Sequence, residues 1–202
     1  MTEPELSQIR ERIERTSAAA RIPRAAVLVP LLPREDGTHD VLFELRSEEI
    51  DIQPGEVCFP GGHLEPGEDG LQAVVRETCE ELLVELGQIE VLGKLAGPAG
   101  IGGSPIEAYV GVLRGYEGTF STDEVARTFR IPLAWLLEND PTVWEIPLEM
   151  HFPEGFPWDK VPGGRSYPWR AGSHEVPFYD TDPVVWGFTA RVCMALASVL
   201  RG

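Results

Sequence analysis

The sequence predicts a mixed α/β protein in which helices pack on a sheet. Short runs of β-branched and large apolar residues lie before and after one strongly acidic helical segment, and an apolar helical segment closes the chain. Strands on both sides of a central helix favour a layered sandwich around one core. At 202 residues the chain is long enough for one such core and short for two large domains, so a single domain over residues 1–202 is expected.

The elements expected before the central helix are one helix and several short strands. Leu6, Ile9 and Ile13 recur at helical spacing, which predicts an amphipathic N-terminal helix at about residues 3–16. The polar, turn-like stretch after the first strand favours a hairpin with the second strand. Strands are predicted at residues 25–32, 41–45, 56–59, 90–95, 106–113 and 128–131.

The central helix follows a loop that contains Pro60, Gly61 and Gly62, the glycine loop. Asp69 is its expected N-cap residue, since a short carboxylate accepts hydrogen bonds from the first turn. Its inward face is expected to carry the residues that recur at helical spacing, which are Leu71, Val75, Thr78 and Leu82.

The second half of the chain is less regular. Pro132 suits the first turn of a short helix that is expected to end near Asn139. Residues 154–183 are crowded with Pro, Gly and aromatic residues, which suits a long ordered loop over a site. A mobile lid and a partner surface are equal alternatives for this segment. The closing segment, at about residues 184–201, is expected to be a buried helix, because it is short for a bilayer and contains Arg191.

Composition narrows the classes of partner. The formal net charge of -16 opposes binding to nucleic acid or to anionic membranes, which requires clustered Lys and Arg. A phosphate-bearing small molecule would need a bound cation to approach such a surface. The three cysteines show no metal-ligand spacing, and the N-terminus lacks the pattern of a secretory signal. We therefore expect a reduced, cytoplasmic location.

The central helix carries an acidic cluster. Glu77, Glu80 and Glu81 stand at i, i+3 and i+4, which places three carboxylates within one arc of the helix. Like charges at this spacing repel each other, so a positive ion is expected nearby. Oxygen ligands without His or Cys favour Mg²⁺ or Mn²⁺ over zinc. A solvated acidic face is the other interpretation of such a cluster.

The surrounding spacing separates these two interpretations. Five residues lie between Gly62 and Glu68, seven between Glu68 and Arg76, and two between Glu77 and Glu80. This pattern resembles the Nudix box, G-x5-E-x7-R-E-U-x-E-E-x-G-U, at residues 62–84. The resemblance implies a Nudix fold, an α/β/α sandwich with a central mixed sheet, and a loop and helix that bind a divalent metal and a diphosphate.

The resemblance also assigns roles within the box. Glu77 and Glu81 would be the principal metal ligands, and Glu80 would contribute directly or through water. Gly62, Glu68 and Arg76 would be structural residues of the loop and helix. The general base is not always in the box, so Glu80, Glu81 and the later Glu124 stay open as candidates.

Three positions depart from the patterns of the family. Leu83 replaces the final glycine of the box, so the helix is expected to continue to about Glu85. Thr78 occupies a position that is often aliphatic. Asp51 stands where a basic residue is common, which would weaken a contact with a substrate phosphate.

Segments outside the box are similar to one subfamily, the coenzyme A pyrophosphatases. These segments are residues 45–47 (LRS), 54–62 (PGEVCFPGG) and 185–191 (VWGFTAR). The similarity implies hydrolysis of coenzyme A or acyl-coenzyme A to 3′,5′-ADP and (acyl-)4′-phosphopantetheine. Arg46, with the backbone of Gly61 and Gly62, is the expected substrate contact. A surface ion pair is the alternative role for Arg46.

Two other functions stay open. The first is a housecleaning pyrophosphatase acting on nucleoside triphosphates, ADP-ribose or dinucleoside polyphosphates. The second is an inactive Nudix module that binds a nucleotide or a protein partner, and retention of the three carboxylates argues against it. Neither nucleic acid nor a membrane is an expected partner, and family habit adds a homodimer as the expected assembly.

Overall fold

The computed structural model describes residues 25–96, 106–169 and 172–202. The helix expected at about residues 3–16 lies outside these residues. The strands are β1 (Ala25–Pro33), β2 (His39–Arg46), β3 (Val57–Cys58), β4 (Gly61–His63), β5 (Ile89–Leu95), β6 (Ile106–Leu113), β7 (Val125–Pro132), β8 (Thr142–Pro147), β9 (Ser173–Tyr179) and β10 (Val185–Trp186). The α-helices are α1 (Gly70–Leu82), α2 (Leu133–Glu138) and α3 (Gly187–Arg201).

The main sheet is mixed, as predicted. Its strand order is β3-β2-β1-β6-β5, with β7 paired to β2 and β4 paired to β1. The β1 and β6 strands run parallel, whereas β1 and β2 form the predicted antiparallel hairpin. Each of the six strands expected from the sequence is present, with ends shifted by up to three residues.

The neighbours of β1 diverge along one of its edges. The first residues of β1 pair with β4, and its last residues pair with β2. Because β6 occupies the other edge of β1, β2 and β4 must leave the same edge in different directions. The divergence brings the backbone of the glycine loop and the end of β2 to one side of the sheet.

Helices cover both faces of this sheet. On one face, Ala73 and Val74 of α1 pack on Ala26 and Leu28 of β1. On the other face, α2 and α3 contribute to a larger cluster with the sheet residues Val29, Leu31, Val41 and Phe43. This arrangement is the expected α/β/α sandwich.

The central helix α1 differs from its prediction in two respects. Asp69 is the N-cap residue, as predicted, and forms a capping box with Gln72. Thr78 and Leu82 are buried, as predicted, whereas Leu71 is exposed and the buried face also carries Ala73, Val74 and Glu81. The expected continuation to Glu85 is wrong, because α1 ends at Leu82 and Leu83 itself adopts the left-handed conformation, with φ of 53°.

Residues 154–183 are not one long loop. Their second half contains β9, which pairs with β8 and β10 in a separate three-stranded sheet. Pro177 and the neighbouring turns conceal β9 in the sequence, because proline is uncommon inside a strand. Because Val185–Trp186 pairs with β9, α3 begins at Gly187 and not near residue 184. In the described parts of the chain, no helix is long and apolar enough to cross a membrane.

Candidate functional site

The site is built around a close contact between the glycine loop and β1. Gly61 has φ of 148°, and a Cβ atom there would lie 2.3 Å from the carbonyl oxygen of Ala26. Only glycine permits this approach. The contact turns the Gly61 N–H toward α1, where it donates a 2.8 Å hydrogen bond to Glu81 Oε2.

Gly62 makes an equally close approach to the helix. A Cβ atom at Gly62 would lie 2.4 Å from Glu77 Oε1, so any side chain would displace that carboxylate. Together, the two glycines put peptide backbone directly against the carboxylates of Glu77 and Glu81. Both glycines and both glutamates were singled out from the sequence.

Arg76 organises the acidic residues that face away from the core. Its guanidinium donates two 3.0 Å hydrogen bonds to the carboxylate of Glu68. It also lies 3.0 Å from Glu77 Oε1 and 3.2 Å from Glu80 Oε2. These neighbouring anions raise the pKa of Arg76. A further hydrogen bond, to the carbonyl oxygen of His63, ties the loop to the helix.

Glu81 is the buried member of the box. Its exposed fraction is 4%, and burial raises the pKa of its carboxyl to about 8. The hydrogen bond from Gly61 opposes that shift in pKa, whereas the charges of Glu77 and Glu124 add to it. Burial likewise raises the pKa of Glu77, with Arg76 opposing. A nearby cation would therefore stabilise the charged, carboxylate forms of both residues.

Glu44 of β2, which the sequence analysis does not single out, is buried near Glu81. Its exposed fraction is 1%, and burial followed by the charge of Glu81 raises its pKa well above the usual range. A charged residue within the otherwise apolar run VLFEL was the available signal. We had interpreted that run only as a strand.

Arg46 and Glu124 lie at the same end of β2. The backbone N–H of Ser47 donates a 2.8 Å hydrogen bond to the carbonyl oxygen of Glu124, which joins the two segments. The positive charge of Arg46 opposes the rise in pKa of both Glu44 and Glu81, which places Arg46 near these carboxylates. Its Nε donates to the carbonyl oxygen of Ile52, and no surface ion pair of Arg46 occurs among the described residues.

The donor set fits a hard divalent cation. It consists of carboxylate oxygens, and Glu44 Oε1 is a buried acceptor without a hydrogen-bond partner in the part of the chain that the structure describes. As they stand, the described side chains form no group of three that could hold a metal ion. The reason lies in their present contacts, since Glu77 and Glu80 turn to Arg76 and Glu81 turns to Gly61.

Aromatic side chains at positions 152–169 and the cysteines have their own environments, and of these Cys58 lies against Glu44. Phe152, Phe156, Trp158 and Trp169 pack on one another in tilted and edge-on pairs, with ring centroids 4.6 to 6.3 Å apart. Burial raises the pKa of the Cys58 and Cys79 thiols, which disfavours the nucleophilic thiolate.

Comparison with known proteins places this geometry in a family. The chain is 36% identical over 119 residues to Nudix hydrolase 3 of Caenorhabditis elegans, a match covering 56% of this chain and 49% of that protein. It is 27% identical over 177 residues to the peroxisomal coenzyme A diphosphatase NUDT7 of Mus musculus, covering 87% of this chain and 69% of that protein. The chain thus spans about half the length of the first relative.

Among solved structures, the binary complex of a C. elegans Ap4A hydrolase matches 57% of this chain and 84% of that chain, with 22% identity and a TM-score of 0.46. The family model for the NUDIX domain matches residues 22–150, which is more than half of the 202 residues. The matched range contains both the glycine loop and α1. The chain therefore belongs to the Nudix domain family.

Proposed function

We propose that this protein hydrolyses a diphosphate linkage in coenzyme A or acyl-coenzyme A, in a reaction that depends on a divalent cation. The products would be 3′,5′-ADP and 4′-phosphopantetheine or its acyl form. One observation carries the proposal: the buried Glu81 and the neighbouring Glu77 lie directly against the backbone of Gly61 and Gly62. This arrangement supports the proposal, because it would bring the proposed metal ligands next to peptide backbone that can contact a phosphate.

Glu77 and Glu81 would hold Mg²⁺ or Mn²⁺, with Glu80 contributing directly or through water. A bound divalent cation polarises a phosphoryl oxygen and lowers the pKa of the attacking water. Glu77 and Glu80 contact Arg76 in the present arrangement, so both would exchange part of that contact for the ion. Arg76 would keep its two bonds to Glu68 and so hold the loop in place.

Arg46 is proposed as the phosphate contact. It lies close to Glu44 and Glu81, and its Nε–H donates a hydrogen bond to the carbonyl oxygen of Ile52. The remaining guanidinium N–H groups suit a charge-assisted contact with an oxygen of the substrate. The exposed Asp51, on the same loop, would repel an additional phosphate.

The water that attacks phosphorus must lose a proton to a base. Three carboxylates stay candidates, and their environments differ. Glu81 is buried and accepts the Gly61 hydrogen bond, Glu80 is exposed and contacts Arg76, and Glu124 is exposed on the loop beside Ser47. A base must be free to take a proton from water, which favours Glu124 over the two residues that already have partners.

Support for the coenzyme A substrate comes from the relative that is a coenzyme A diphosphatase, because its match extends over 87% of this chain. The upstream segment 54–62 also supplies the close approach of Gly61. The second candidate function is hydrolysis of other nucleotides, since a box of this kind does not itself select a substrate.

A panel of substrates tests the choice. Purified protein with Mg²⁺ would be given coenzyme A, acetyl-coenzyme A, ADP-ribose, a dinucleoside tetraphosphate and nucleoside triphosphates, and kcat/KM would be measured for each. The proposal requires the highest kcat/KM for coenzyme A or its thioester. A preference for another nucleotide would leave the metal mechanism standing and reject the substrate, whereas no turnover of any compound would favour the inactive module.

A further inference from the structure

Glu44 lies in a place where a carboxylate needs a partner. It is in the middle of β2, opposite Cys58 of β3 and Thr128 of β7. Its Oε1 is buried and finds no hydrogen-bond partner among the described residues. Its Oε2 has only the Cys58 thiol, a weak donor, with Sγ 3.8 Å away. A buried polar atom without a partner is uncommon and calls for an explanation.

The pleat of β2 points Glu44 toward α1. Alternate residues of a strand share a face, so Leu42, Glu44 and Arg46 project together. Leu42 packs against Leu82 at the end of α1. Glu44 therefore lies one pleat farther along the same face, beneath the turn of α1 that carries Glu81.

The charges around Glu44 are mostly negative. Glu81 and Glu124 are close enough to repel it, and Arg46 is the cation that opposes them. One guanidinium among these acids leaves the buried group with more negative than positive charge. An isolated buried carboxylate is costly.

We propose that Glu44 is a residue of the metal site outside the Nudix box, adding a carboxylate oxygen behind Glu81 for the bound divalent cation. The inference rests on the proposed function, in which carboxylates of α1 hold that ion. Glu44 would either contact the ion or hold Glu81 toward it. In both cases the residue acts on the affinity for the ion.

A purely structural role makes a different prediction. If Glu44 is only a neutral acid that fills space under α1, a neutral side chain of the same size would leave metal affinity unchanged. Glu44→Gln preserves the shape and removes the charge. Asp40→Asn is the matched control, because Asp40 lies on the same strand and the same face, is also buried, and has its own partner in Arg34.

The experiment measures Mn²⁺ affinity by titration calorimetry, without substrate, for the wild-type protein and both variants. We expect Glu44→Gln to bind Mn²⁺ about tenfold to a hundredfold more weakly, the loss typical of supporting residues at metal sites. Asp40→Asn should bind Mn²⁺ with the affinity of the wild type. Equal affinity in Glu44→Gln and in the wild type would overturn the inference and leave the proposed function intact.

A thermal melt of a second variant separates loss of metal binding from loss of folding. Glu44→Met is apolar and close in size, so it should melt at or above the wild-type temperature without metal, because an unpartnered buried carboxyl is removed. Its rise in Tm on adding Mn²⁺ should be smaller than that of the wild type. An undiminished rise would contradict the role of Glu44, and absence of any Mn²⁺ binding by the wild type would reject the proposed function itself.

Discussion

The box region and the three-stranded sheet are stabilised in different ways. In residues 61–83, buried and half-buried charges are held by directed contacts, such as Gly61 to Glu81 and Arg76 to Glu68. In the sheet of β8, β9 and β10, large apolar side chains such as Trp144 are exposed, and every residue of β8 is exposed. The difference indicates that substitutions have steep effects in the first region and shallow effects on β8 of the second, whose buried residues Tyr179 and Val185 belong to the main core.

The largest expected effect is on turnover in the box. Glu81→Gln keeps an oxygen that can accept from Gly61 but loses the charge that a metal needs, so kcat should fall at least about a hundredfold, or about 3 kcal/mol. Steady-state kinetics with saturating Mg²⁺ measure this. Glu90→Gln, at an exposed pair with Arg114, is the control and should retain activity. A Glu81 variant with near wild-type kcat would contradict the assignment.

The next effect is steric and acts on folding. Gly61→Ala puts a methyl group against the carbonyl oxygen of Ala26 and should cost about 1–3 kcal/mol of unfolding free energy. Gly67→Ala is matched, since Gly67 also has positive φ but open space around it, and it should cost only about 1 kcal/mol. Urea denaturation compares the two. Equal losses of unfolding free energy in the two variants would show that the close contact between Gly61 and β1 does not add to the cost of a side chain.

Replacing Arg76 should have an intermediate effect on stability. Arg76→Lys loses the paired hydrogen bonds to Glu68 and should cost about 1–2 kcal/mol, because an ammonium cannot reproduce the planar guanidinium. Arg114→Lys, in an exposed pair, should change stability by less than about 0.5 kcal/mol. Thermal melts of both variants show whether stability depends on the paired hydrogen bonds of Arg76 or only on its positive charge.

A smaller effect, of opposite sign, is expected at the end of α1. Leu83 is 58% exposed and left-handed, so Leu83→Gly should stabilise the protein by about 1 kcal/mol. The control is Leu86→Gly, which removes an exposed leucine that does not have positive φ. Loss of stability in Leu83→Gly would mean that the leucine side chain contributes more than its strain costs.

The smallest effect belongs to the three-stranded sheet. Trp144 is 63% exposed on β8, and Trp144→Thr should change the free energy of unfolding by less than about 0.5 kcal/mol. Activity should also be unchanged. A loss comparable to that of Gly61→Ala would remove the contrast between the two regions.

The contrast also explains what the sequence could predict. Residue spacing identified Glu68, Arg76 and the glycine loop, because the geometry of one loop and one helix is local. The strands of the main sheet followed from local apolar runs. Pro177 and the turns near it concealed β9, since its pairing with β8 depends on residues about thirty positions away.

Two local errors have physical causes. Spacing alone placed Leu71 inside, but the buried face of α1 is set by contact with β1 and by the inward turn of Glu81. The end of α1 was misjudged because a leucine was not expected to adopt the left-handed conformation. Glu44 was missed because it comes from β2, far from the box, and only folding brings it under α1.

The most direct test of the central claim is product analysis of coenzyme A incubated with the purified protein, once with Mg²⁺ and once with excess chelator. Chromatography would identify the nucleotide that is released. The account predicts 3′,5′-ADP and 4′-phosphopantetheine in equal amounts with Mg²⁺, and intact coenzyme A with the chelator. Intact coenzyme A in both reactions, or equal cleavage in both, would contradict it.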